Sequence, residues 1–149
     1  MPPLHLGSLL LSSPLILAPL ERVSYLPFRH LCAQNGASLT FTEMIRAKSI
    51  TSSTPVTMMI DTIDSTTPTG LQLSVATAGE LTDCLEHMAV QIETNKQPHW
   101  KNIAVIDLNF GCPKVSLFFC LLLFLPFFRL FSWFSLFSSP PLSLLLVHS

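Results

Sequence analysis

The chain has 149 residues, a formal net charge of −1 and a hydrophobic fraction of 49%, which suits a single domain. Eight Lys and Arg are outnumbered by nine Asp and Glu, so no strongly basic face of the kind that grips nucleic acid by its phosphates is expected. Cys32, Cys84, Cys112 and Cys120 are widely spaced with no C-x-x-C pair, which argues against a zinc site or redox dithiol and for reduced thiols in an intracellular protein.

Residues 1–13 contain the apolar patch Leu9-Leu10-Leu11 but no basic stretch before it, so a secretory signal peptide is not expected. The run Pro14-Leu15-Ile16-Leu17-Ala18-Pro19 is short, apolar and bounded by prolines, as a first buried strand would be. In Leu26–Gln34, Phe28, Leu31 and Cys32 recur at helical spacing, Pro27 stands in the first turn, and Asn35-Gly36 is a helix stop. Ala37–Met44 alternates and is rich in β-formers, giving a second strand parallel to the first.

Residues 46–69 are heavy in Thr, Ser and Pro and predict a long, mobile connection. A short alternating strand follows at Gly70–Ser74, and its Gln72 needs either a ligand or a polar neighbour, because a buried amide without a partner costs about 1–3 kcal/mol. Ala78–Glu93 carries Leu81, Leu85, Met88, Ala89 and Ile92 on one helical stripe and acidic residues at its start, where the helix dipole favours them. His87 and His99 have no partners at metal-ligand spacing, so no metal is expected.

The stretch Ile103–Pro113 is an apolar strand that ends abruptly in polar and turn residues. Strand alternation places Asp107 and Asn109 on one face, with Ile106 and Leu108 on the other. Gly111 and Pro113 would hold Cys112 on a stiff turn. From spacing alone Cys112 is either a buried small hydrophobe or a reactive thiol.

The order β-α-β-loop-β-α-β is that of an α/β protein built as the N-terminal half of a (β/α)₈ TIM barrel. Active sites in such barrels lie at the C-terminal ends of the strands, and Pro19, Glu43, Gln72, Asn109 and Cys112 all stand at or just beyond such ends.

Three motifs in order carry a family resemblance, and a fourth, weaker one accompanies them. Asp107-Leu108-Asn109-Phe110-Gly111-Cys112-Pro113 resembles the D-[IL]-N-x-G-C-P signature of the tRNA-dihydrouridine synthases. Ala18–Arg29 resembles their A-P-M-x-G-V-T-x-x-P-F-R opening, with Leu20 for the usual Met, Arg22 for a small residue and Ser24 for Thr. Phe41-Thr42-Glu43-Met44 resembles their Y-T-E-M strand, and Gly70–Ser74 their V-Q-L-x-G strand, although Ser74–Thr77 departs from the Gly and S-D-P that follow in the family.

The resemblance implies an FMN enzyme, reduced by NADPH, that delivers hydride to C6 of a flipped-out tRNA uridine while Cys112 protonates C5 as general acid. It further implies that Pro19, Leu20, Gln72 and Asn109 bind the flavin, with Gln72 bonded to its ring. A closed barrel needs about 200 residues or more, and the matching part, residues 14–114, lacks the family's later flavin-binding strands and helical tRNA-binding domain. The chain alone is therefore expected to be inactive.

Composition changes at Val115, beyond which Arg129 and His148 are the only basic side chains and no acidic one occurs. Residues 115–149 are dominated by Leu, Phe, Ser and Pro, whose codons can consist wholly of pyrimidines, and Val115-Ser116 is how a common splice-donor hexanucleotide reads in frame. This apolar tail, of uncertain structure, is read as translated intron. The competing reading is a membrane anchor at Leu117–Phe137, which is long enough to span. The two readings predict respectively a cytoplasmic enzyme fragment and a non-catalytic membrane-anchored or flavin-binding remnant.

Overall fold

The computed structural model describes residues 3–52, 59, 60, 62, 63 and 65–109, together with the backbone of 143–147. The chain opens with an antiparallel hairpin, β1 (Leu4–Leu6) and β2 (Leu9–Leu11), in which Leu6 pairs with Leu9 across Gly7-Ser8. Gly7 takes φ 60, a conformation that glycine adopts at little cost in a two-residue hairpin loop.

Helix α1 (Leu26–Gln34) follows, then the short strands β3 (Thr40–Phe41) and β4 (Ile45–Arg46) and helix α2 (Ala47–Ile50). Strand β5 (Thr69–Ser74), helix α3 (Ala78–Glu93), a 3₁₀ turn at Pro98–Asn102, strand β6 (Ile103–Asn109) and strand β7 (Ser143–Val147) complete the order.

The sheet is parallel throughout. Both β3 and β4 pair along one side of β5, β6 pairs along the other, and β7 pairs with β6. Spatial order thus follows chain order with no reversal, which is the winding of a barrel sector and not of a doubly wound sheet.

At the start of this sector the expected first strand is reduced to a single parallel bridge, Ile16 to Leu39. Leu15 and Ile16 stay 54% and 40% exposed, because the segment meets strand backbone on one side only among the described residues. At the other end, part of the apolar tail enters the sheet: Val105 to Asn109 pair with Ser143 to Val147. The possible span at residues 117–137 lies outside the described residues, among which no helix is long and apolar enough to cross a membrane.

The two sheet faces are chemically distinct. Leu71, Leu73, Ile106 and Leu108 point to the helices, where they join Leu81, Cys84, Leu85 and Met88 of α3 and the fully buried Trp100. Each large side chain removed from water there contributes roughly 1.5–3 kcal/mol. Helix α3 begins where the sequence signals it: Thr77 Oγ1 accepts from Glu80 N at 3.1 Å, and Glu80 Oε2 accepts from Ala76 N at 2.7 Å.

On the opposite face Leu39, Phe41 and Val105 pack with Leu11 of the hairpin. The terminal hairpin therefore closes the N-terminal end of the sheet's inner face, a role that the sequence reading missed.

Two expectations are corrected. In α1, Leu31 is 53% exposed, and the buried side chain is Arg29 at 2%. Its guanidinium donates to Ser24 O at 2.8 Å and to Thr62 O and Oγ1 at 3.1 and 3.0 Å, tying the loop before the helix to the segment before β5. The described part of 46–69 is also not a solvated connection: Ile50, Ile60 and Ile63 are buried at 0–1% in the core beneath α3. Apolar residues spaced through a polar stretch anchor it by burial even where their spacing shows no regular period.

The helix stop at Asn35-Gly36 forms as expected. Gly36 takes φ 100, its N–H donates to Ala33 O, and the Ala37 N–H reaches Cys32 O, which is the Schellman arrangement.

Candidate active site

Strands β5 and β6 deliver the site. Their register sets Gln72 beside Asp107, and alternation puts Asp107 and Asn109 on the inner face, above Val105. Gln72 Nε2 donates to Asp107 Oδ2 at 2.6 Å, and Asn109 Nδ2 donates to Gln72 Oε1 at 3.4 Å. Gln72 thus has the polar neighbour that its place in an apolar strand demanded. Gln72 Nε2 also carries a second N–H beyond the one given to Asp107.

Asp107 is 2% exposed, and its Oδ1 has no hydrogen-bond partner among the described residues. Burial pushes this carboxyl above its ordinary value of 3.8, while the Gln72 N–H, which favours the charged form, pulls it partly back.

A local irregularity completes the rim. Phe41 pairs with Gly70 and Ile45 with Leu73, so Thr42, Glu43 and Met44 stand against only Leu71 and Gln72. This extra residue is a bulge, and Thr42 Oγ1 takes the Gln72 N–H at 3.4 Å in place of a ladder carbonyl. The bulge brings Met44 Sδ to 3.2 Å from Asn109 Nδ2 and sends the Glu43 carboxylate toward the next loop, where it accepts from Arg22 N at 2.7 Å.

That loop holds Pro19, half-buried, and Leu20, 41% exposed, and it is closed by the Leu20 N–H donating to Ser24 Oγ at 2.8 Å. Of the expected site residues, Gln72 and Asn109 are therefore brought together directly. Pro19 and Leu20 belong to the loop that Glu43 ties to the same rim. Cys112 lies outside the described residues.

Asp107 and Met44 were not among the expected binding residues. Period-two alternation through Val105, Asp107 and Asn109 was the signal for the first, while the bulge that turns Met44 inward has no marker in the sequence.

Elsewhere, Cys84 is a buried core thiol whose pKa is pushed up to about 12 by burial and by the nearby Glu80 carboxylate, which suits packing and not chemistry. His87 packs against Trp100 with ring centroids 6.2 Å apart. Among the described residues no group of three His, Cys, Asp or Glu side chains is placed to hold a metal.

Two amides and a buried carboxyl gather at the C-terminal ends of adjacent parallel strands, with helices covering the outer face, an arrangement that fits part of an α/β barrel-type protein, the class of fold that carries its sites at the strand ends. The chain belongs to the dihydrouridine synthase family, whose model matches residues 16–117.

It is 30% identical over 112 residues to a probable tRNA-dihydrouridine synthase of Rickettsia conorii. It is 32% identical over 110 residues to one from Rhodobacter capsulatus, and 32% identical over 120 residues to one from Mycobacterium tuberculosis. These matches take in 74%, 74% and 75% of this chain but only 31%, 32% and 28% of the respective relatives, so the chain spans about a third of their length. No solved structure matches the chain significantly.

Proposed function

We propose that the chain carries the flavin-facing sector of a tRNA-dihydrouridine synthase, an oxidoreductase that reduces uridine in tRNA to 5,6-dihydrouridine. The observation that carries this is the Gln72–Asp107–Asn109 cluster at the strand ends, in a chain of this family.

FMN fits the donor set. A flavin's pyrimidine edge offers both acceptors and a donor, and two neighbouring amides supply the complementary groups. When bound, and reduced by NADPH, FMN supplies the hydride that goes to C6 of the uracil. Gln72 and Asn109 hold the ring edge by their amides, and Pro19 and Leu20 flank it from the neighbouring loop.

Cys112, three residues beyond Asn109 in sequence, gives its Sγ proton to C5, which completes the saturation of the C5–C6 bond. A thiol with an ordinary pKa of about 8.5 remains protonated at neutral pH and is acidic enough to donate to a developing carbanion. The substrate is a uridine that leaves its stack to reach the strand ends, and the site of action is the cytoplasm, where tRNA is found.

The test is a titration of the purified 149-residue chain with FMN, followed by quenching of flavin fluorescence. Saturable one-to-one quenching, weakened about tenfold by Gln72→Ala, is expected from the loss of one half-buried amide contact. Absence of saturable quenching, or equal affinity in the variant, sinks the reading.

A further inference from the structure

Asp107 is harder to explain than its neighbours. A carboxyl 2% exposed in the middle of an apolar strand is costly, and with Oδ1 unpartnered among the described residues it is a poor device for stability. What it does possess is one short hydrogen bond, from Gln72 Nε2 at 2.6 Å.

The terminal torsion of a glutamine is broad and roughly two-fold, so an unsupported amide shows its N–H or its carbonyl in a given direction almost equally. An ionised carboxyl accepts and does not donate, so it selects Nε2. The Gln72 carbonyl must then point away from Asp107, and it is Gln72 Oε1 that takes the Asn109 N–H at 3.4 Å. Burial of Asp107 keeps water from its side of the amide, so the carboxyl decides which end of Gln72 faces it.

We infer that Asp107 is a positioning residue, which fixes the orientation of the Gln72 amide and through it that of Asn109. The pair consequently presents a single pattern of donors and acceptors to the ligand at the strand ends. The ligand side of this inference rests on the FMN reading above, whereas the amide side does not.

The chain without ligand is tested first, by the side-chain NH₂ resonances of Gln72 and Asn109 in ¹H–¹⁵N spectra. Asp107→Leu shifts both pairs, and Asp107→Asn, whose amide can accept from Nε2 but can equally donate to Oε1, recovers the wild-type positions only in part. In a Gln72→Ala background Asp107→Leu leaves the Asn109 pair unmoved, because the link between them is gone. Asp107→Ala serves in place of the leucine variant should that one not fold.

FMN affinity is the second readout. Asp107→Leu weakens it about tenfold, Asp107→Asn falls between that variant and wild type because its amide also donates, and neither adds to the loss in the Gln72→Ala background. An Asn109 shift that persists without Gln72, or NH₂ pairs indifferent to Asp107→Leu, overturns the inference. If Gln72→Ala leaves FMN affinity unchanged, it is the FMN reading that fails, and the amide spectra still decide the role of Asp107.

Discussion

Arg22 occupies a backbone position made for glycine. Its φ of 58 lies in the left-handed region, which strains a side chain with a Cβ by about 1–2 kcal/mol, and its family counterpart is a small residue. Only its backbone N–H is used at the rim, by Glu43. Arg22→Gly should therefore keep that hydrogen bond and raise the unfolding free energy by about 0.5–1 kcal/mol, less than the full strain because glycine also loosens the unfolded chain. A urea midpoint lower than wild type would count against this.

Asp107 makes a prediction of a different sign. Because its folded pKa lies above the ordinary 3.8, the native state binds its proton more tightly than the unfolded state does. Its contribution to stability is thus fully present below the unfolded pKa and is lost as pH rises through the folded one. Asp107→Asn, which does not titrate, should gain stability relative to wild type as pH is raised from about 3 to neutrality. Urea midpoints across that range check it, and parallel curves would contradict it.

Among the elements, the interrupted strand β3–β4 depends on Gly70. A Cβ built there would overlap the Phe41 ring, so the aromatic side chain lies directly across the β5 backbone. Gly70→Ala should cost about 1–3 kcal/mol through overpacking, and the double variant with Phe41→Leu should recover part of that loss. Thermal unfolding of Gly70→Ala, Phe41→Leu and the double variant beside wild type measures both. An alanine variant as stable as wild type would show that the ring is free to move aside. The same ring supports the bulge at Thr42–Met44 by holding the pairing just before it, so binding at the rim should weaken together with stability.

For the molecule as a whole, the terminal hairpin is as much part of the core as the sheet it covers. Leu11 is 1% exposed against Leu39, Phe41 and Val105, whereas Leu10 beside it is 57% exposed. Leu11→Ala should lower stability by about 2–5 kcal/mol, and Leu10→Ala by no more than about 0.5 kcal/mol. Equal effects in chemical denaturation would mean that the hairpin is an appendage.

Local chemistry made much of this protein legible beforehand. The acidic residues after Ala78 mark the start of α3, Gly36 ends α1, and the alternation from Val105 to Asn109 separates an inner from an outer face, because helix-end charge, left-handed glycines and strand period act over a few residues. The motifs at Ala18–Arg29, Phe41–Met44 and Asp107–Pro113, taken in order, were sufficient to name the family. Hidden from the sequence were the features that depend on segments distant in the chain. The hairpin across Gly7-Ser8 went unread, and that Leu11 plugs the sheet follows only from the space left by Phe41 and Val105. The burial of Arg29 required Thr62 to arrive opposite it, and the burial of Ile50, Ile60 and Ile63 required room for them in the core beneath α3. The meeting of Gln72 with Asp107 was decided by the β5–β6 register, since nothing local specifies which residue of one parallel strand lies beside which residue of the next.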